Sequence, residues 1–533
     1  MTVQGLADPA MRASDRAPPT RRPAPELPGG RRLPVWAVPW LLGVVALAAR
    51  LLTAASQPTE WDSVQLVLGM DGFDVRLETP HAPGYWLYVA AGRGVRAVGP
   101  LDAHGSLLLL SALASGATVG LAYAVGRALA GRWLGLAAAG YLLCAPVLWY
   151  HGSIVSTYPF DALVGLALVW LAATARPSLR FPVLTCVVLG LGCGIRPSMA
   201  LVFAPIAAVA LARGIRGLRA LASAAAAGTV AVLAWLVPML AEQPGGYDAW
   251  RTTTRRVFLG AAETTSLVYG GPDAAANLER AVRYTLAAVG PLAIVAVVAL
   301  AVGQLRTRGT GRPVAAAGSS ALLLLVAAGP PLAVLALLHF PKAGYGLAYL
   351  PALVLLLLLP AARLPRRERA AAGILLTLIC LATTGRFLTG SAGLTWQDIQ
   401  RVDQVAVAFA SLPTVTDPGR DVLVFVEPFG AERYRLAMYR LPRYRAVMAR
   451  EGQVVRGAFG GREHPVAAGR HVQVAPGGRV VLVVDPADAE LAALQADGTA
   501  RRLQLATGRP VWAVGPGVEV YGLRVVERPE VRP

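Results

Sequence analysis

Six ionisable side chains crowd one short stretch of the chain, SQPTEWDSVQLVLGMDGFDVRLETPHAPGYWLY: Glu60, Asp62, Asp71, Asp74, Glu78 and His81. Carboxylates at such density serve as bases or metal ligands, or simply solvate a loop. Asp71 and Glu78 are read as solvating. Asp62 differs, because it lies between Trp61 and the apolar positions Val64, Leu66, Val67 and Leu68. Helical spacing of that run lays it along a membrane interface and holds the carboxylate at membrane depth. A base placed there meets the head group of a lipid-borne substrate and takes the proton of an acceptor hydroxyl. No His pair has HExxH spacing and no GxxxxGK[ST] loop occurs, so a soluble nucleotide sugar is not the expected donor.

The elements that must position these residues are membrane helices. Of the 533 residues 55% are hydrophobic and 15% charged, and the mean hydropathy is +0.52, so the bilayer is the solvent. Apolar runs long enough to span a core of about 30 Å recur from residue 35 to about residue 389. The spacing predicts eleven of them, near 35–55, 104–129, 133–149, 153–174, 181–195, 197–212, 220–241, 284–304, 315–338, 344–362 and 369–388. Alternate connections carry Arg127/Arg132, Arg176/Arg180, Arg213/Arg216/Arg219, Arg306/Arg308/Arg312 and Arg363/Arg366/Arg367/Arg369, the bias of cytoplasmic loops. The amino terminus is therefore expected inside, and loops 56–103 and 242–283 and the carboxy-terminal domain outside.

A formal charge of +19 raises nucleic acid as a partner, but topology explains the arginines better and nucleic acid is discounted. Residues 1–34 are too long and irregular for a signal peptide and read as a disordered cytoplasmic tail. Residues 84–99, with Arg93 and Arg96 three apart, suit a helix lying in the interface and are left out of the spans. The run 181–212 is broken at Ile195-Arg196-Pro197-Ser198, as two short helices meeting near the outer face. Cys144, Cys186, Cys193 and Cys380 lie in apolar runs, without disulfide or zinc spacing. The expected fold class is mainly α: a polytopic bundle over 35–389, then a small α/β domain over 390–533. In that domain helices are predicted around 396–412 and 431–440, and strands at 421–427, 479–485, 511–514 and 518–527.

One resemblance covers most of residues 35–390. Trp61-Asp62-Ser63 after the first helix, Phe73-Asp74 some ten residues on, and Pro80-His81-Ala82-Pro83-Gly84-Tyr85 opening an amphipathic helix resemble the bacterial relatives of the protein O-mannosyltransferases, membrane glycosyltransferases of the GT-C fold. The break GLGCGIRPS at 190–198, the segment HFPKAGYGLAYLP at 339–351 and the outer carboxy-terminal domain agree. Ala82 departs from the pattern, where those proteins usually show a second proline. The resemblance implies transfer of a hexosyl or pentosyl group from a polyprenyl-phosphate donor to a glycan, lipid or protein acceptor on the outer face of a bacterial-type plasma membrane, usually with inversion. Asp62 matches the family's catalytic acid residue and would be the general base. Asp74 is a second carboxylate that either orients sugar hydroxyls or a divalent ion, or caps the following turn.

A phosphate leaving group needs cations, and the arginine fork matches phosphate oxygens. Arg196, flanked by apolar half-helices, is the leading candidate, against snorkelling or pairing with an outer-loop carboxylate. Lys342, the chain's only lysine, lies beside His339 and Tyr345 and is open to the same role. His81 and Tyr85 are candidates to hydrogen-bond donor phosphate or sugar. His151, with Tyr150 and Tyr158, reads as an interface anchor. A divalent cation, Mg or Mn, is compatible with the acidic loop but required by no motif. The rival functions are a transporter or flippase of envelope glycolipids and a non-enzymatic scaffold; polar residues crowded on the outer face and the lack of an internal repeat weigh against transport.

Overall fold

A computed structural model describes residues 34, 37–310, 318–391, 393–464, 466 and 469–528; the expected tail at 1–34 lies outside the described residues apart from Pro34. The apolar runs fold as helices. The chain opens with α1 (Ala37–Leu52), followed by two helices of the first loop, α2 (Trp61–Gly69) and α3 (Trp86–Val98). Next come α4 (Ala103–Ala130), α5 (Arg132–Cys144), α6 (Pro146–Gly152), α7 (Tyr158–Thr174), α8 (Arg180–Ile195), α9 (Met199–Gly214) and α10 (Leu218–Glu242). After α11 (Gly246–Thr265) the bundle closes with α12 (Ala274–Thr310), α13 (Gly318–Leu338), α14 (Leu350–Ala362) and α15 (Arg366–Thr389).

Helices α4, α10, α12, α13 and α15 are each long and apolar enough to cross a membrane, and the bent pair α5 and α6 makes a sixth such unit. The remaining apolar helices, α1, α7, α8, α9 and α14, have 13 to 17 residues. That is about 20–25 Å at 1.5 Å per residue, short of a hydrocarbon core of about 30 Å. All five stop, on one side, at the connections 53–60, 153–157, 196–198 and 339–349. These connections carry the polar residues described below, so the site is built where the short helices end. Multi-pass membrane architecture stands on these elements; eleven crossings requires the five short helices to span as well.

Two expectations change. The run 133–149 is not one helix: it breaks at Ala145-Pro146 and bends by 60°, because proline cannot donate to the preceding turn. Loop 242–283 contains α11, and α12 begins ten residues before the apolar run, at Ala274 rather than 284. The charged sequence of α11 and the stretch NLERAVR early in α12 interrupt the apolar pattern and hid both starts.

The α5–α6 bend frees carbonyls in an apolar interior, and Arg50 of α1 meets them. Its guanidinium donates to Leu143 O at 2.9 Å, Leu142 O at 3.3 Å and Ser115 Oγ at 3.0 Å, and lies 5.1 Å from the Trp149 ring centroid. The side chain is fully buried. The approach of α1 to α4 that brings it there depends on small residues: a Cβ on Gly116 would stand 2.7 Å from Gly43 O, and one on Gly120 2.5 Å from Pro39 O.

Beyond the membrane half, α16 (Trp396–Ala410) precedes an α/β domain of β1 (Val422–Val426), α17 (Ala431–Arg440), β2 (Arg445–Arg450), β3 (Gln453–Phe459), β4 (Arg462–His464), β5 (His471–Val474) and β6 (Val480–Val483), then α18 (Ala489–Ala496), β7 (Arg501–Gln504), β8 (Pro510–Val514), β9 (Glu519–Val520) and β10 (Leu523–Glu527). A seven-stranded sheet runs β4-β3-β2-β1-β6-β8-β7, with β1 parallel to β2 and β6, and a three-stranded sheet runs β5-β10-β9. Alternation along β1 sorts the two cores: Leu423 and Phe425 pack with Phe409 and Tyr434 of the α16–α17 layer, Val422 and Val424 with Leu491 of α18 and Val525 of β10. The expected strands 421–427, 479–485 and 511–514 fall on β1, β6 and β8, and 518–527 splits into β9 and β10. Strands β2, β3, β4, β5 and β7 were not expected, because sequences such as RAVMAR and RRLQ interleave charge too densely to show an apolar period.

Arg50→Ala strands the two α5 carbonyls and leaves a void, and is expected to cost about 2 kcal/mol in unfolding of the purified protein. Arg50→Lys recovers only part, since one ammonium cannot bridge donors across the bend. Unchanged stability in Arg50→Ala contradicts this role.

Candidate active site

The first loop is pinned before it offers any chemistry. Glu60 N–H donates to Ser63 Oγ at 3.3 Å, and Ser63 Oγ donates to Val155 O at 2.7 Å, tying the start of α2 to the α6–α7 connection. Val64, Leu66 and Val67 are buried, as the apolar spacing required. Asp62, in the first turn of α2, is thereby held at the ends of the short helices.

Lys342 reaches the same point from 280 residues away. Its Nζ donates to Asp62 Oδ2 at 3.0 Å and lies 3.3 Å from Glu60 Oε2. Burial opposes ionisation of Asp62, but the Lys342 charge, His81, the Lys342 hydrogen bond and Arg196 outweigh it and hold the carboxyl at about 2. Lys342 is the mirror case: burial disfavours its ammonium, and Glu60 and Asp62 more than restore it, raising its pKa. A carboxylate so stabilised is a weak base while the lysine stays.

Arg196, at the break between α8 and α9, is buried, and its guanidinium faces three tyrosine rings, Tyr158 at 4.4 Å, Tyr345 at 5.1 Å and Tyr85 at 5.9 Å from their centroids. Its Nε lies 3.2 Å from Asp161 Oδ2, and Nη1 donates to Thr157 Oγ1 at 3.2 Å. Its acidic partner is thus in a membrane helix, α7, and not in the outer loop. Asp161 was missed, although a carboxylate inside the apolar run 153–174 carries the same signal that singled out Arg196.

His81 Nε2 and Tyr85 OH are 2.9 Å apart, and both line a recess with Asp62, Glu60, Thr157, Tyr158 and Arg196. Burial lowers the His81 pKa against the pull of Asp62, so the imidazole is neutral at physiological pH. Tyr345 packs between Tyr158, tilted at 5.3 Å between ring centroids, and His339, edge-on at 5.8 Å. His339 stands behind it, its Nδ1 2.8 Å from Thr265 Oγ1. Asp74 lies apart: it accepts from Arg76 N–H at 3.0 Å and from Gln243 Nε2 at 2.9 Å, and is bridged by the Arg76 guanidinium, which makes it the cap of the turn at 75–77.

The recess itself has a volume of ≈ 10 Å³, room for about one water. Beside it opens a cavity of ≈ 550 Å³, which shares Glu60 and is roofed by the carboxy-terminal domain. Trp61, Tyr150, His151 and Lys342 line it from the membrane half, Asp398 and Arg401 from α16, and Glu432 and Arg433 from α17. His151 is therefore no interface anchor: it is buried, its Nδ1 is 3.3 Å from Ser156 Oγ, and its Nε2 has no hydrogen-bond partner among the described residues.

The roof is fastened to the first loop. Trp61 packs under Arg435 and Arg456, at 4.1 and 5.1 Å from its ring centroid, and Glu78 accepts from both arginines, which also pair with Glu463. Glu78, expected only to solvate the loop, is an interdomain ligand instead; its partners lie more than 350 residues away and left no local sign. Asp71 does sit in solvent, 70% exposed and paired with Arg96. Among the described residues no group of three or more His, Cys, Asp or Glu is placed to hold a metal ion.

No family model and no curated protein matches the chain. Solved structures do. ArnT from Cupriavidus metallidurans, bound to undecaprenyl phosphate, superposes with a TM-score of 0.52 at 13% identity, covering 91% of this chain and all of that one; its apo state gives 0.52 at 12%, over 90% and 99%. The chain has the fold of ArnT. That likeness bears out the GT-C fold expected from the first-loop pattern, without its mannosyltransferase detail. The apo oligosaccharyltransferase of Archaeoglobus fulgidus is a looser match, with a TM-score of 0.43 at 12% identity over 77% of this chain and 64% of that one.

Removing the lysine exposes the balance at Asp62. In Lys342→Met burial is no longer outweighed as strongly, and the carboxyl, followed as the infrared band that Asp62→Asn abolishes, should titrate at higher pH than the wild-type value of about 2. A band that does not move contradicts the pairing.

Proposed function

We propose that the chain is an integral membrane glycosyltransferase that moves a sugar from a polyprenyl-phosphate donor to a hydroxyl acceptor on the outer face, with inversion. The observation that carries this reading is one carboxylate, Asp62, in contact with the half-buried Lys342 and in one recess with the buried Arg196, next to a cavity of ≈ 550 Å³ that Lys342 lines, in an ArnT-like fold. Undecaprenyl phosphate, to which one of the ArnT structures is bound, is the class of carrier the cations suit.

The site at the ends of the short helices lets a lipid phosphate reach both cations from the interface. Entry of the phosphate draws Lys342 away from Asp62, since a phosphate oxygen competes with two carboxylates for one ammonium. Losing that hydrogen bond raises the basicity of Asp62 as its task arrives. The acceptor hydroxyl, in the larger cavity, attacks the anomeric carbon while Asp62 takes its proton. The bond from that carbon to the phosphate oxygen breaks, and the electron pair leaves with the polyprenyl phosphate, whose charge Arg196 and Lys342 meet. His81 and Tyr85 hydrogen-bond the sugar or phosphate, and Tyr345 and His339 hold the aromatic wall around Arg196. Asp74 acts only by fixing the turn before His81. The scheme leaves the phosphate to side-chain cations and asks for no metal ion.

In this reading the chain crosses a bacterial-type plasma membrane eleven times, with its amino terminus in the cytoplasm. The carboxy-terminal domain and the first loop share one face, since Glu78 joins them, and that face is the outer one.

Membranes supplied with a radiolabelled polyprenyl-phosphate sugar test the roles. Asp62→Asn should lower transfer by roughly 10²–10⁴-fold with donor binding retained. Arg196→Ala combined with Asp161→Asn, which avoids a stranded acid, should weaken donor binding by about 2 kcal/mol. Undiminished transfer in the first, or unchanged donor affinity in the second, overturns the assignment concerned.

A further inference from the structure

The outer connections of a membrane protein are poor in arginine, yet α11, between two spanning helices on the outer side, carries Arg251, Arg255 and Arg256. The other cations of the outer connections are spoken for: Arg76 by Asp74, Arg93 by Glu242, Arg96 by Asp71, Arg196 by Asp161, Arg283 by Glu279, Lys342 by Asp62 and Glu60, and Arg280 by the Phe340 carbonyl. Arg251, Arg255 and Arg256 pair with no carboxylate among the described residues. All three are exposed and line one cavity of ≈ 320 Å³ with Asp248, Thr252 and Leu259, a net charge of 3 − 1 = +2.

Solvation alone explains an isolated arginine, not three that break the topological bias together. Their setting adds to this. Phe258 and Val257, next along the helix, are 52% and 40% exposed, and Tyr247 is 54% exposed beside Trp250 at 6.0 Å between rings. Exposed aromatic and apolar side chains interleaved with arginine mark a helix lying in the membrane interface. Trp250 Nε1 donates to Pro83 O at 2.9 Å, so α11 is also fastened to the turn that presents His81 and Tyr85.

We propose that Arg251, Arg255 and Arg256 form a binding site for the phosphate of an anionic phospholipid in the outer leaflet, with Thr252 as a neutral donor and Phe258 against the acyl chains. The fork of each guanidinium suits phosphate oxygens, and the apolar neighbours select a lipid over a free phosphate. This site is separate from the Asp62 recess and does not depend on the transfer reaction.

The test uses the full chain purified in detergent, mixed with equal dioleoyl-phosphatidylglycerol and dioleoyl-phosphatidylcholine, with retained lipid counted by native mass spectrometry. Wild type should prefer the glycerol lipid by roughly tenfold, and Arg251→Gln/Arg255→Gln/Arg256→Gln should retain the two equally. Arg470→Gln/Arg501→Gln/Arg502→Gln, the same charge change on the carboxy-terminal domain, should leave the preference intact. No preference in wild type, or a preference that survives the α11 substitutions, overturns the proposal. So does a third result, in which added undecaprenyl phosphate rather than phosphatidylglycerol is what the three arginines retain.

Discussion

One ammonium held between two carboxylates sets the terms for the rest of this molecule. Lys342, Asp62 and Glu60 come from distant parts of the membrane half and are each partly withdrawn from water where the short helices stop, so each is costlier without its partners. Bringing them together takes α2 pinned through Ser63 to the α6–α7 connection, and a short 3-10 turn at 343–348 leading into α14. The second buried pair, Arg196 with Asp161, follows the same rule within the bundle. Two ion pairs with a neutral histidine and three tyrosines between them make a site whose charges are satisfied at rest and can be re-paired by an entering anion.

That resting satisfaction has a chemical consequence. Lysine contact makes Asp62 a poor base at rest. In the proposed mechanism a phosphate takes Lys342 away by the same charge that makes it a leaving group. Donor entry and base activation would then be one event, and a site lacking donor would be protected from idle proton transfer. The roof belongs to this logic as well. Arg435 and Arg456 hold Trp61, the residue next to Asp62, and bind Glu78 at the far end of the same loop, so the carboxy-terminal domain fixes the loop at two points while closing the larger cavity.

Much of this was legible in the chain. A charge inside or beside an apolar run is expensive, so Asp62, Arg196 and Lys342 stand out by type and place alone, and the apolar periods of α4 or α13 leave no alternative to helix. Pairings were not legible. Lys342 and Asp62 are 280 residues apart, Glu78 and Arg435 357, and nothing local connects them. Asp161 was visible by the rule that found Arg196. The bend at Ala145-Pro146 was marked by its proline, whereas Arg50, its remedy, sits far earlier in a helix that reads as plain span. In the soluble domain, central strands such as VLVFV declared themselves because both faces are buried, and charged edge strands did not.

The central claim is that a lipid phosphate displaces the Lys342–Asp62 contact. A structure of the chain with undecaprenyl phosphate tests it most directly. The phosphate is expected within about 4 Å of both Lys342 Nζ and the Arg196 guanidinium, with Nζ withdrawn from its 3.0 Å contact with Asp62. A phosphate bound elsewhere, with that contact intact, would contradict it.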